Sequence, residues 1–238
     1  MAHDAGPAID SSARNRSKKA QRWLWIVLAT TLAAFVLRVV LIDEQSLRGD
    51  EALSAIYAQK SLPEIIEITR FVSGHPPLFY SMLHFWQRAA GGQVFAVRFF
   101  ALWWGVLCVP LCFSLGKRLL GMRAGLWAAL LMAMSPFHIW HSQDARAYSM
   151  LAALALASSL ALYRALLRSS KGNWAVYALL ALLLVYTHYF GAFLVAAHGV
   201  FFVWERWRNR GGWISGAMAF ASVGLLLLPW PRRPLCGL

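Results

Sequence analysis

Four short polar motifs interrupt an otherwise apolar chain: Arg48-Gly49-Asp50-Glu51, His75-Pro76-Pro77, Ser142-Gln143-Asp144-Ala145-Arg146-Ala147-Tyr148 and Thr187-His188-Tyr189. Their residue types suit a transfer reaction. A carboxylate such as Asp50 accepts the proton of an attacking hydroxyl, and partial desolvation at a membrane surface raises its basicity. Glu51 stands beside it as a supporting partner. The guanidinium of Arg146 is the side chain best shaped to grip phosphate oxygens in pairs, with Gln143 and Tyr148 adding donors at the same edge. His75 and His188 bring imidazoles that can contact phosphate or a sugar hydroxyl.

Each of these residues also has a plainer reading. Asp50 follows a glycine turn at the start of a short predicted helix, where a carboxylate caps the first N–H groups. Arg146 opens an apolar segment and can simply snorkel to the interface. The prolines after His75 fit an extended residue followed by a first helical turn, which accounts for them without requiring the histidine. His138, His141 and His188 form no recognisable metal-ligand spacing. The chemistry calls for no cofactor; a divalent metal is compatible with these residues but unsupported by them.

The elements that must position these motifs are set by composition. With 59% hydrophobic and 14% charged residues, the chain exceeds the roughly 45–50% apolar content of soluble domains. Apolar runs at 23–42 and 95–115 reach the about 20 residues needed to span a bilayer as helix, and no β-barrel alternation is present. An all-α polytopic membrane protein is expected. The net charge of +13 lies in clusters between apolar runs, which indicates membrane topology rather than a nucleic-acid surface.

Residues 1–22 read as a basic, disordered cytoplasmic tail without a signal-cleavage pattern. The first span then runs outward into a loop at 43–94, which holds most of the acidic residues. Within it, 76–90 reads as an interfacial helix carrying Ser81, His84, Gln87 and Arg88 on a polar stripe. Runs at 95–115, 124–140, 147–167, 174–189, 191–204 and 213–230 follow, giving about seven spans with Lys117, Arg118 and Arg123 inside. A competing topology makes 76–90 a true span and places that basic turn outside. Under the first topology the four polar motifs share one outer site. Arg38, near the end of the first span, must snorkel or pair, with Asp43 or Glu44 as candidate partners. Cys108, Cys112 and Cys236 have no CxxC spacing and read as helix packing.

In order, spacing and sidedness the motifs resemble the polyprenyl-phosphate-sugar-dependent glycosyltransferases of the family 39 type, which include protein O-mannosyltransferases, aminoarabinose lipid A transferases and bacterial lipopolysaccharide-core transferases. The resemblance rests on Gly49-Asp50-Glu51 after the first span, His75-Pro76-Pro77-Leu78, Arg98, the basic turn at 117–125 and the seven-residue motif from Ser142 to Tyr148. It covers about residues 23–230, a GT-C-like transmembrane module with juxtamembrane helices in its first outer loop.

The resemblance implies an inverting enzyme in the cell inner membrane, with its N-terminus cytoplasmic and its site periplasmic. Asp50 would be the general base and Glu51 a second acidic residue, with His75 and Arg146 binding donor phosphate or acceptor. The implied partners are a polyprenyl-phosphate-linked sugar, an acceptor glycolipid, polysaccharide or protein, and the bilayer, with no nucleic acid. Arg98 stays outside this set, because Phe99-Phe100-Ala101 lacks a serine often found nearby in the family. Family members are commonly longer, so a C-terminally truncated and inactive fragment is one alternative, and residues 231–238 form an atypical tail with Arg232 and Arg233 on the predicted outside. A transporter or flippase is another, although the broken helices, inverted repeat and midplane charge pairs it calls for are not evident.

Overall fold

A computed structural model of the chain describes residues 6–72, 75–209 and 212–227. The atypical tail at 231–238 lies outside the described residues. The elements are helices throughout: α1 (Gly6–Val39), α2 (Gly49–Gln59), α3 (Leu62–Phe71), α4 (Leu78–Ala90), α5 (Val94–Leu120), α6 (Met122–Met134), α7 (Pro136–Ser142), α8 (Tyr148–Leu167), α9 (Lys171–Thr187), α10 (Phe190–Asn209) and α11 (Ile214–Leu227).

Among the described residues, three helical segments are long and apolar enough to cross a membrane: Gln21–Val39 of α1, all of α5 and all of α8; α6, α9 and α11 are shorter apolar helices. Large side chains such as Leu32, Trp127, Leu131, Phe193, Val200 and Met218 face outward. Lipid tails accept such a surface, whereas water does not. Residues 6–22, expected as a disordered tail, continue α1 as helix; alanine, arginine, lysine and glutamine in 13–22 are good helix formers.

The sharp reversal from α5 to α6 turns on Gly121, whose φ of 94° lies in the left-handed region that glycine enters without steric cost. α2 and α4 pack together over α5, α8 and α9. Their shared core includes Ala58, Phe79, Leu83, Val97, Met150 and Leu184, and burying a side chain of this size contributes about 1.5–3 kcal/mol. The polar stripe of α4 faces water only in part: Arg88 is exposed and Ser81 half-buried. His84 and Gln87 are buried against α2, where His84 Nδ1 lies 2.9 Å from the Ala58 carbonyl and Gln87 Nε2 donates to the Ala55 carbonyl at 3.4 Å. Phe85 is turned outward instead.

Two further differences concern the expected span at 124–140. It is broken: α6 stops at Met134, Ser135 is extended, and α7 starts at Pro136. A residue before proline is driven from the helical region, and proline has no N–H for the carbonyl one turn back. Ser135 Oγ recovers the new start by accepting from the His138 N–H at 3.3 Å. Arg38 neither snorkels nor pairs with Asp43 or Glu44. It is completely buried and turned into this break, because the freed carbonyls there match a group that carries five donors.

Candidate active site

The helix start at α2 separates two adjacent carboxylates. Glu51 caps the helix: its Oε2 accepts from the Arg48 backbone N–H at 2.9 Å. The same carboxylate takes Arg98 Nε on Oε1 and Arg98 Nη2 on Oε2, both at 2.8 Å, and the Ala145 N–H on Oε1 at 3.0 Å. Burial alone would raise the Glu51 carboxyl, but the Arg98 guanidinium and the two N–H groups outweigh it and hold it at about 2. Glu51 is therefore an anion locked in place, with its acceptor capacity taken up inside the protein.

Asp50 points the other way. Its side chain is 76% exposed, and its Oδ2 lies 3.6 Å from Arg146 Nη1. The helix capping weighed for Asp50 is carried by Glu51, one residue on. Protein atoms leave Asp50 exposed; the half-buried Asp144 carboxyl nearby is raised by desolvation and by the Glu51 charge.

Arg98, which lies outside the implied site set, is the hub of this region. Besides Glu51 it donates to the carbonyls of Ile42, Gln45 and Ser46 at 2.8, 2.9 and 3.1 Å. One guanidinium so fastens the end of α1, the loop after it and the start of α2 to α5. A bidentate, charge-assisted pair of this kind fixes orientation as well as position. The available signal was an arginine near a span end beside an acid-bearing loop.

The turn between α7 and α8 brings in the second set. Ala145 reaches Glu51 as described, and Arg146 extends to α2, where Nη1 also donates to the Asp50 carbonyl at 3.4 Å. Its guanidinium lies over the Tyr148 ring, 5.8 Å from the centroid. Tyr148 contacts the His188 ring at 6.0 Å, and His188 contacts the His75 ring at 5.5 Å. The four motifs, distant in sequence, therefore converge, with Asp50, Glu51, His75, Arg146, Tyr148 and His188 in one contiguous set. Burial, His75 and Arg146 all lower the His188 imidazole, favouring its neutral form.

Gln143 is placed differently. Its Nε2 donates to the carbonyls of Arg38 and Val40 at 3.1 and 3.2 Å, so it closes the C-terminal end of α1 rather than reaching toward Arg146. Tyr80, not singled out from sequence, is buried beneath the cluster; burial raises its phenol and nearby Arg146 partly offsets this. Among the described residues no group of three His, Cys, Asp or Glu side chains converges to hold a metal.

The all-helical bundle, with acid-bearing helices between two spans, defines a GT-C-like membrane protein. Residues 74–230 match the family described as dolichyl-phosphate-mannose-protein mannosyltransferase, and the chain belongs to that family. Its structure is similar to one titled as the S. cerevisiae protein O-mannosyltransferase Pmt1-Pmt2 complex bound to the sugar donor, with a TM-score of 0.67 and 18% identity over 88% of this chain and 32% of that one. At this identity the likeness is one of fold, and the present chain spans about a third of its neighbour. The search of curated proteins gives no match.

Proposed function

We propose that this chain acts as a membrane glycosyltransferase that moves a sugar from a polyprenyl-phosphate donor to an acceptor hydroxyl, with inversion at the anomeric carbon. The observation that carries this reading is the exposed carboxylate of Asp50 set 3.6 Å from the Arg146 guanidinium. A proton acceptor and a phosphate grip stand side by side on a rigid seat.

In the reaction, the acceptor O–H gives its proton to Asp50 while its oxygen forms a bond to the anomeric carbon. The carbon–oxygen bond to the lipid phosphate breaks with its electron pair, and Arg146 stabilises the departing anion. Attack opposite the leaving group inverts the centre. Asp50 and Arg146 must part to admit the sugar between them, which costs little because ion pairs with an exposed partner are weak. Glu51, held by Arg98, keeps the α2 start in place as they separate. His75, Tyr148 and His188 line the donor side, with His188 neutral and able to accept or donate. Acceptor hydroxyls of a glycolipid, polysaccharide or protein are compatible with this open site.

The placement of Arg98 and Lys117–Arg118 toward opposite ends of α5, about 30 Å apart at helical rise, supports a site across the membrane from the basic turn. The proposal sets the N-terminus in the cytoplasm and the site on the periplasmic face of the inner membrane, in line with the positive-inside trend. The test is incubation of membranes carrying the chain with polyprenyl-phosphate sugars of defined anomeric configuration. Transfer with inverted configuration agrees with the mechanism; retained configuration would rule it out.

A further inference from the structure

Arg38 has no role in the proposed transfer, yet it is among the largest fully buried side chains of the described structure. All five of its N–H donors are engaged. Nη1 donates to the carbonyls of Ala34 and Ala133 at 2.9 and 3.1 Å. Nη2 donates to the Met132 carbonyl at 3.1 Å and to His138 Nδ1 at 3.0 Å, and Nε to Ser142 Oγ at 3.3 Å. In an unbroken helix the Met132 carbonyl would accept from residue 136, which is proline, and the Ala133 carbonyl from residue 137, beyond the break. Arg38 supplies the donors that the break removes. A charge buried this completely near a span end is costly unless it is held in full.

The consequences run along α7. Ser142, held by Arg38, also donates to the His138 carbonyl at 2.6 Å and sits against α5 at Gly105, where a β-carbon would come within 2.6 Å of the Ser142 Cβ. Gln143 then fastens to the carbonyls of Arg38 and Val40, and Ala145 to Glu51. Arg146 reaches α2 only through long contacts to Asp50, at 3.4 and 3.6 Å, and otherwise lies over Tyr148, two residues on. Its location is fixed by the two ends of the turn that carries it. We infer that Arg38 is a positioning residue for Arg146: by bridging the Pro136 break it sets where the α7–α8 turn meets α2. Its effect on donor binding rests on the function proposed above; its effect on geometry does not.

The experiment uses the full chain in membranes, with Cys108, Cys112 and Cys236 replaced by alanine and cysteines placed by Asp50→Cys and Arg146→Cys. Disulfide cross-linking between these positions reports the placement without needing activity. Arg38→Met is expected to lower the cross-linked fraction severalfold at equal protein level, and Arg38→Lys, with three donors instead of five, to lower it less. If Arg38→Met does not accumulate, Arg38→Lys and Ser142→Ala carry the same comparison. Undiminished cross-linking in the accumulating Arg38 variants would overturn the inference.

In the otherwise unsubstituted chain, Arg38→Met should raise donor KM about tenfold with kcat changed less, and Arg146→Ala should add little to it. A loss confined to kcat, or full additivity, would contradict a role through Arg146. Arg38-dependent cross-linking in a chain that releases no polyprenyl phosphate would leave the positioning intact and remove the donor-binding role together with the proposed function.

Discussion

Glu51 and Arg98 meet through both carboxylate oxygens at 2.8 Å, both side chains buried, while Asp50, next to Glu51 in sequence, faces solvent. The pair converts an acidic dipeptide into one structural and one available carboxylate. Removing one partner strands a buried charge, which costs about 3–5 kcal/mol. Arg98→Met and Glu51→Gln should both sharply lower the thermal unfolding temperature of the detergent-solubilised chain. Unchanged melting in both would mean that the pair does not hold α2 to α5.

Acid should weaken the fold through the same residue. Glu51 is held at about 2, against about 4.3 for a free glutamate. Because the folded value is depressed, its stabilisation is complete above the free value and is lost as pH falls through the folded one. Stability should lose up to about 3 kcal/mol between roughly pH 5 and 2 from this group. Glu51→Gln removes that component, so its acid-unfolding profile should be flatter than that of the parent; identical slopes would contradict the assignment.

Gly105 is where α5 admits the end of α7. A β-carbon there would come within 2.6 Å of the Ser142 Cβ, and closer to its Oγ. Gly105→Val should destabilise by about 1–3 kcal/mol and impair donor use through the displaced turn. Thermal unfolding and donor KM measured together check this, and a change in neither would show that the contact yields freely.

Arg146 is expected to act on the donor phosphate. Hydrogen bonds to charged groups contribute about 1.5–3 kcal/mol, so Arg146→Ala should raise donor KM about tenfold to a hundredfold with little effect on melting. Arg146→Lys keeps the charge but not the paired geometry, and should fall between. Equal donor KM in the parent and Arg146→Ala would remove the residue from the site.

Much of the helical plan was legible because apolar runs and basic turns are local signals. The glycine–acid motif and the proline pair correctly marked helix starts at α2 and α4. The break at Pro136 was written in the sequence but hidden inside a run whose hydropathy does not register it. The partners of Arg38 and Arg98 were not legible because they lie far along the chain: Arg38 reaches carbonyls at 132 and 133, and Arg98 reaches a carboxylate at 51. Backbone carbonyls carry no residue-type signal, so a buried arginine that satisfies them resembles one that snorkels. The place of Gln143 at the α1 end was hidden for the same reason. The stripe of His84 and Gln87 was visible, but its burial depended on carbonyls of α2.

The most direct measurement is release of polyprenyl phosphate from a panel of polyprenyl-phosphate sugars by membranes carrying the parent chain or Asp50→Asn, with a longer relative as control and both chains matched for membrane content. A positioned general base contributes about 10²–10⁴-fold, so release by the parent should fall by at least about a hundredfold in Asp50→Asn while melting stays unchanged. Equal release by the two chains would contradict the assignment of Asp50 as the base, and release from the control beside silence in the parent would contradict catalysis by this chain.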